Sequence, residues 1–486
     1  MGKFKFGVFK PQNLLYQELN SKHQYELHNE RITFMGYINS AILTALFALS
    51  ACAVSENQSD TLKTQAAKLS EVPSSTLGQN QLKIALSGNF RTDLSRATKN
   101  SPEYLAAKAN AASSFERISV ASADQEFQVV ANANAGQTIK NGSGLPSSNQ
   151  TGATANLSVK KMIFDGGVTA AKINSAQANA FIAEMDVEIV GGNIAKNAAL
   201  AWVNLNTLNK RKKLLQALIT KTVEMNSQME TLVSSGMIDK TASASTEIAL
   251  RALVLEEVSL NAKTSAASAN FIKYFGSLPK HLKAPTSMLA SSDLQKTQKN
   301  WSQSPIMLQT AAKVLVAKQM LIASQGSQKP VIDFKAGAVS PMDRGERNNY
   351  AVGLEVNWII GDGGRRKANT AVQASNLKAA EHGLAAAKLA GKNTLDTTLS
   401  QHAALIASLE ILAAQEISTR NELEIMWSQL PTGQSSVRQL IEVEEKAHRT
   451  SDRIILVNAE LLTLEYEVLA QSGLLATKLA LFKTKK

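Results

Sequence analysis

Ile163-Phe164-Asp165-Gly166-Gly167 and Ile360-Gly361-Asp362-Gly363-Gly364 decide the reading of this chain, because they state nearly the same phrase 197 residues apart. Gly236 and Gly433 keep that offset, and so do Gly276 and Gly473. Landmarks spread over 111 residues that hold one spacing mark a duplicated unit, since independent loops would drift. Ser101-Pro102 and Ser304-Pro305 open a helical pattern in each copy, serine suiting the N-cap and proline the first helical position. These two are 203 apart, so the second copy is six residues shorter between its first helix and its Asp-Gly-Gly.

Each copy reads helix, strand, strand, long helix, long helix. In the first, Phe127, Val129, Ala131, Ala133 and Ala135 alternate with Gln128, Val130, Asn132 and Asn134; Asn141-Gly142-Ser143-Gly144 is a turn; Ala153, Ala155, Leu157 and Val159 alternate with Thr154, Asn156, Ser158 and Lys160. In the second, Ile332, Phe334, Ala336 and Ala338 alternate with Asp333, Lys335 and Gly337, and Val352, Leu354, Val356 and Trp358 alternate with Gly353, Glu355 and Asn357. A period of two marks a strand with one apolar and one polar face. Strands of this kind suit a transmembrane β-barrel or a sheet on a soluble core.

The helices are long. From 168 to about 222 no proline interrupts the pattern, which gives ~80 Å at 1.5 Å per residue. From 437 to about 483, Leu440, Ala447, Ile454, Leu461, Val468 and Leu475 fall seven apart, with Val443, Thr450, Val457, Leu464 and Gln471 as a companion row. That is a coiled-coil seam. In the first copy Ile248, Leu255, Ala262 and Ala269 keep the same step, beside Ala252 and Ala266. Gly191-Gly192 interrupts the first long helix at a position expected to kink.

Composition narrows the function. The 486 residues exceed one ordinary domain. Hydrophobic residues are 44%, aromatic residues only 5% and charged residues 19%. Such an alanine-rich chain suits helices packed closely side by side better than a thick globular core. The formal charge of +12 is scattered, which does not make a nucleic-acid surface; the dense run Lys210-Arg211-Lys212-Lys213 reads as a solvated helix face. The six histidines show no metal-ligand spacing, and Cys52, the single cysteine, excludes a disulfide framework or a cysteine-built metal site. Gly361-Asp362-Gly363-Gly364 lacks the lysine and Ser/Thr of a phosphate loop. No catalytic triad, metal site or cofactor motif stands out, so the chain is read as a non-enzyme.

The amino terminus reads as an address. Residues 41–51 form an apolar run whose ~16 Å of helix is too short for a bilayer core of ~30 Å but fits a signal-peptide h-region. It ends in Leu49-Ser50-Ala51-Cys52, which resembles a bacterial lipobox with Cys52 as the lipidated residue. Residues 1–51 are then a lipoprotein-type signal peptide, starting from Met1 or Met35, and 52–88 a lipid-anchored, Ser/Thr/Gln/Asn-rich linker. The first repeat covers 89–276, an inter-repeat linker 277–300, the second repeat 301–473, and a basic tail 474–486. Ala53 after the cysteine resembles the pattern of outer-membrane lipoproteins.

In this ordered set the chain resembles the TolC family of outer-membrane efflux and secretion ducts. The resemblance runs from about 90 to 473 and rests on the twofold element order, on Asp165-Gly166-Gly167 and Asp362-Gly363-Gly364 after the second strand of each copy, and on the opening Ser101-Pro102-Glu103-Tyr104-Leu105. It implies a mainly α fold with a transmembrane β-barrel part. A homotrimer would supply a 12-stranded barrel and a long α-helical coiled-coil tunnel. It implies a passive exit duct of a tripartite efflux or type I secretion system, without cofactor. The partners implied are a periplasmic adaptor (membrane fusion) protein, an inner-membrane pump of RND or ABC type and outer-membrane lipid. The adaptor-contact tips would be Ser235, Gly236 and Met237 in one copy and Gly433 in the other, although such glycines also simply end helices. Arg438 and Glu442, at the start of the last long helix, are the gate candidates; a solvated charged face explains them equally. The rival reading is a lipid-anchored periplasmic coiled-coil scaffold that does not span the membrane.

Overall fold

The computed structural model describes residues 65–67, 86–140, 148–236, 240–290, 301–341, 347–430 and 435–481. The chain divides into two units, 1–76 and 77–486; the first is described only at 65–67, a helical turn, and the rest of the account concerns the second.

A short helix α1 (Phe90–Lys99) comes first, started by Asn89, whose side chain accepts from the backbone of Arg91 and Thr92. Then follow α2 (Pro102–Ala123), β1 (Gln128–Lys140), β2 (Ser148–Phe164), α3 (Val168–Ser234) and α4 (Lys240–Phe275). After an extended stretch and a 3-10 turn at Trp301–Gln303, the order returns as α5 (Pro305–Gly326), β3 (Val331–Pro341), β4 (Asn349–Asn357), α6 (Arg365–Gln429) and α7 (Val437–Gln471), with a last turn α8 (Leu474–Lys478). Proline stands first in both α2 and α5, as the missing N–H costs nothing there. The helix α3 is 67 residues long, ~100 Å at 1.5 Å per residue, and α6 is 65.

The sheet is antiparallel throughout in the order β1-β2-β3-β4. Its register sorts the side chains by face. Asn132 pairs Asn156, Lys160 pairs Lys335 and Asp333 pairs Glu355 on one face; Ala131 pairs Leu157, Val159 pairs Ala336 and Phe334 pairs Leu354 on the other. Large apolar residues of the second face lie open to solvent in the single chain, Val352 at 74% and Leu354 at 69% exposure among them. The strands are longer than the alternating stretches seen in the sequence, β2 reaching 17 residues with a bulge between Met162 and Phe164.

Where the long helices pass α1 and the chain's end, five rings form a knot: Phe90, Trp202, Phe271, Phe275 and Tyr466, with centroid separations from 4.5 to 5.9 Å. Trp202 is 1% exposed and Tyr466 is fully buried. Five aromatic residues of an aromatic-poor chain thus meet in one place. Residues 277–290, expected as linker, run over this knot: the indole N–H of Trp202 donates to the Lys283 carbonyl at 2.9 Å, and the Tyr466 hydroxyl donates to that of Thr286. Of the stretch read as a basic tail, residues 474–481 bring Leu475, Leu479 and Leu481 into the same core.

Two expectations about the helices are corrected. The α4 row Ile248, Leu255, Ala262 and Ala269 faces outward, Ile248 at 69% and Leu255 at 72% exposure; the buried row is Thr246, Leu253, Leu260 and Ala267. A seven-residue step can be traced on more than one face, and the row facing α3 is the less apolar one. In the last long helix the seam holds at Leu440, Val443, Thr450, Val457, Leu464 and Val468. The helix itself stops at Gln471, and Gly473, left-handed at φ 77°, starts a separate turn. At Gly191-Gly192 α3 continues as helix. These glycines also admit neighbours, since a Cβ on Gly191 would stand 3.1 Å from the Tyr104 ring and one on Gly192 3.4 Å from the Ala470 carbonyl oxygen.

Candidate functional site

The residues singled out in the sequence fall into three places: the strand-to-helix turns, the helix ends far from the sheet, and the faces of the sheet. Cys52, Met237 and Gly433 lie outside the described residues.

At the turns, the two Asp-Gly-Gly phrases take the same shape. Gly166 and Gly363 have φ of 74° and 64°, Gly167 and Gly364 of 90° and 84°. Such values are strained for residues with a Cβ, so glycine allows the strand to bend directly into a helix. Asp165 accepts from the N–H of Gly167 at 2.9 Å and from that of Thr169. Asp362 accepts from Gly364 at 3.1 Å and Arg366 at 3.0 Å. Each carboxylate therefore satisfies N–H groups that a helix start leaves open. Burial works to raise the Asp165 carboxyl, but the Thr169 hydroxyl and the N–H groups of Thr169, Gly167 and Val168 outweigh it and hold it below the usual range. The Arg366 side chain, 2.9 Å away, does the same for Asp362, helped by the N–H groups of Arg366 and Gly364. Arg366 also donates to the carbonyls of Ser327 and Ile359 and so ties the end of α5 to the exit of β4.

At the helix ends, Ser235 and Gly236 close α3, their N–H groups donating to Thr231 at 3.1 Å and Val233 at 3.0 Å; Gly236 is left-handed at φ 77°. Both residues are exposed. Nearby, Met225 and Met229 of α3 pack with Leu423 of α6 and with Val437, Leu440 and Val443 of α7. Ser436 and Gln439 start α7 with a reciprocal capping box. Arg438 and Glu442 face solvent and pair with each other along one helix at 3.3 Å. The carboxylate that joins helices here is Glu444, 7% exposed, which accepts from the Trp427 indole of α6 at 3.3 Å and stands 3.6 Å from the Lys221 ammonium of α3. Its neighbours come from two other helices more than 15 residues away, so no local pattern in the sequence singles out Glu444.

On the sheet, Asn132, Asn156, Lys160, Lys335 and Glu355 share one face, and Leu157, Val159, Leu354 and Val356 share the other. Aromatic residues border the apolar face: Phe127, Phe164 and Trp358 at the end joined to the helices, and Tyr350 near the opposite end. Lys161, on the apolar face, sets its ammonium 4.4 Å from the Phe127 ring centroid. Among the described residues no group of three His, Cys, Asp or Glu side chains is placed to hold a metal ion.

Residues 94–277 and 298–473, well over half of the chain, match the family model described as outer membrane efflux protein. The outer membrane efflux protein BepC of Brucella suis biovar 1 (strain 1330) is 24% identical over 295 residues, 58% of this chain; the match spans 63% of that relative's length. The outer-membrane channel OprN superposes with a TM-score of 0.70 at 15% identity, covering 79% of this chain and 90% of OprN. The outer membrane protein VceC of Vibrio cholerae gives 0.67 at 15% identity, covering 79% and 96%. At such identities these likenesses establish the fold: mostly helical, with a small antiparallel sheet.

Proposed function

This chain belongs to the outer membrane efflux protein family, and from that premise we propose that it is the exit duct of a tripartite efflux or type I secretion system. It is a passive conduit across the outer membrane and periplasm, not an enzyme, and it uses no cofactor. The observation that carries the reading is the sheet. It has one apolar face on which Leu157, Val352, Leu354 and Val356 are open to their surroundings, one polar face, and two unpaired edges, β1 and β4. In lipid an open edge leaves N–H and C=O groups unsatisfied, so a spanning sheet must close. Four strands cannot enclose a lumen; a homotrimer supplies twelve. The exposed apolar side chains of α4 and α6, Ile248, Leu255, Val372 and Leu389 among them, support the same trimer as contacts between copies in the helical tunnel. The matched geometry at Asp165-Gly166-Gly167 and Asp362-Gly363-Gly364 supports two structural repeats, 89–276 and 301–473.

In this reading residues 1–51 are removed as a signal peptide, Cys52 carries the lipid anchor and 52–88 lead to the barrel and tunnel. The tips around Ser235, Gly236, Met237 and Gly433 meet a periplasmic adaptor, and an inner-membrane pump of RND or ABC type supplies the energy. Arg438 and Glu442 narrow the entrance, and Glu444 holds α7 against α3 and α6 beside it.

Proteinase added to intact cells tests the topology. The account expects cleavage within 136–152 or 340–349, the connections at the free end of the sheet. Complete protection in cells with cleavage after lysis contradicts it and favours an anchored scaffold that stays in the periplasm.

A further inference from the structure

Lys161 stands on the face of the sheet where charge is otherwise absent. There Val129 pairs with Val159, Val159 with Ala336 and Ala336 with Val352; one step nearer the helices Lys161 pairs with Phe334, and Phe334 with Leu354. Among the described residues paired on this face Lys161 is the only charged one. It bridges to no carboxylate among the described residues, and its ammonium lies 4.4 Å from the centroid of the Phe127 ring.

An ammonium is costly inside hydrocarbon but tolerated at its edge, where a long side chain carries the charge to the headgroups. The neighbours of Lys161 mark such an edge. Phe127 is 58% exposed, Phe164 pairs with Ile332 just beyond Lys161, and Trp358, 58% exposed, follows Val356 on the same side of β4. Aromatic side chains collect at the boundary between lipid and water. A few residues further on, the strands give way to the long helices.

The charges at this level leave room for an anion. On the polar face Lys160 is taken up by Asp333 and Lys335 by Glu355, and Arg366 is taken up by Asp362. Lys161, Lys172, Lys329, Arg365 and Lys367 then stand against Asp124, Glu126 and Asp165, a surplus of two positive charges per chain. Of those carboxylates, Asp165 is turned to the N–H groups of Gly167 and Thr169, and Asp124 borders the cavity beside Lys160 and Asp333.

We propose that Lys161, set among Phe127, Phe164 and Trp358, binds the headgroup phosphate of an anionic phospholipid in the leaflet that borders the periplasm. A free anion would gain the ammonium alone. A phospholipid also lays its chains along Val159, Phe334 and Leu354, which favours the lipid as occupant. The inference rests on the duct reading, which sets the apolar face of the sheet in lipid and its helix end towards the periplasm.

Native mass spectrometry of the detergent-purified protein tests it by counting bound lipid. Dioleoylphosphatidylglycerol should bind more tightly than dioleoylphosphatidylcholine. Lys161→Gln should lower that preference about fivefold, the worth of one lysine near an anionic surface. Lys161→Arg should keep it, and Lys160→Gln, one residue away on the polar face, should leave it unchanged. The same preference in wild type and Lys161→Gln refutes the headgroup site and leaves the duct standing. An equal loss in Lys160→Gln and Lys161→Gln also refutes the site, because it reports overall charge rather than position. The duct reading is checked separately in vesicles of phospholipid brominated on its acyl chains. The fluorescence of Trp358, taken as the difference between wild type and Trp358→Phe, should be quenched there. No quenching removes lipid from this face, and with it both the site and the duct.

Discussion

Asp165 and Asp362, 197 residues apart, make the same two backbone contacts, each accepting from the N–H groups two and four residues further on. The partners differ in kind. Thr169 adds a hydroxyl beside Asp165, whereas Arg366 adds a guanidinium beside Asp362. What recurs is the task, which is to turn a strand into a helix of more than 60 residues within three positions.

Asp165→Ala should cost ~1 kcal/mol, the usual worth of an N-cap, and Asp165→Ser should recover most of it. Asp362→Ala should also destabilise, and Arg366→Ala should reproduce part of that loss because Arg366 links α5 and β4. Chemical denaturation of the detergent-purified variants measures both; equal stability of wild type and Asp165→Ala would remove the capping role.

The two carboxyls also set a pH dependence. Both have lowered pKa values in the folded chain. Their contribution is therefore complete above the unfolded carboxyl pKa, ~3.9, and is lost as pH falls through the lower folded values. Wild type and an Asp165→Asn/Asp362→Asn variant should differ in thermal stability at pH 7 and equally at pH 5, then converge below about pH 4. A gap that closes between pH 7 and 5 would point to other groups.

Gly166 and Gly363 should respond unequally to alanine. Both are left-handed, a conformation that costs a residue with a Cβ ~1–2 kcal/mol. At Gly166 the new Cβ would also stand 2.5 Å from the Gly326 carbonyl oxygen and 2.9 Å from Lys329, while at Gly363 nothing lies within 4 Å. Gly363→Ala should fold with a modest loss, and Gly166→Ala should give little folded protein. Comparable yields would contradict the close approach of α5 to this turn.

Arg211 and Asp452 form a two-bond ion pair, 2.6 and 3.0 Å, between α3 and α7. Both side chains are about four-fifths covered. A double-mutant cycle should give ~1–2 kcal/mol, and Arg211→Lys should lose much of it, since lysine cannot offer two parallel donors. Arg438 and Glu442 are exposed neighbours on one helix, so breaking them should change stability by only ~0.3–0.5 kcal/mol. Any change in conduction there then reports on the passage rather than on folding.

The sequence made the sheet legible because a period of two survives even when the apolar partner is alanine, as at Ala131 and Ala133. The turns were legible because Asp-Gly-Gly names its own backbone shape. The aromatic knot was not, since Phe90, Trp202, Phe271 and Tyr466 come from distant parts of the chain and no local pattern ties them. Nor was the burial of Thr246 and Leu253 in preference to Ile248 and Leu255. Strength of hydrophobicity does not say whether a helix row faces its own chain or its surroundings. Glu444 shows the same limit, because its burial depends on Trp427 and Lys221, each on a different helix.

Single-channel conductance of the detergent-purified protein in a planar bilayer tests the central claim most directly. The account predicts stable, discrete steps of current, altered by Glu442→Gln or Arg438→Ala at the entrance. No current from intact trimers, persisting after the helix ends around Gly236 and Gly433 are removed, would contradict a duct and leave an anchored helical scaffold.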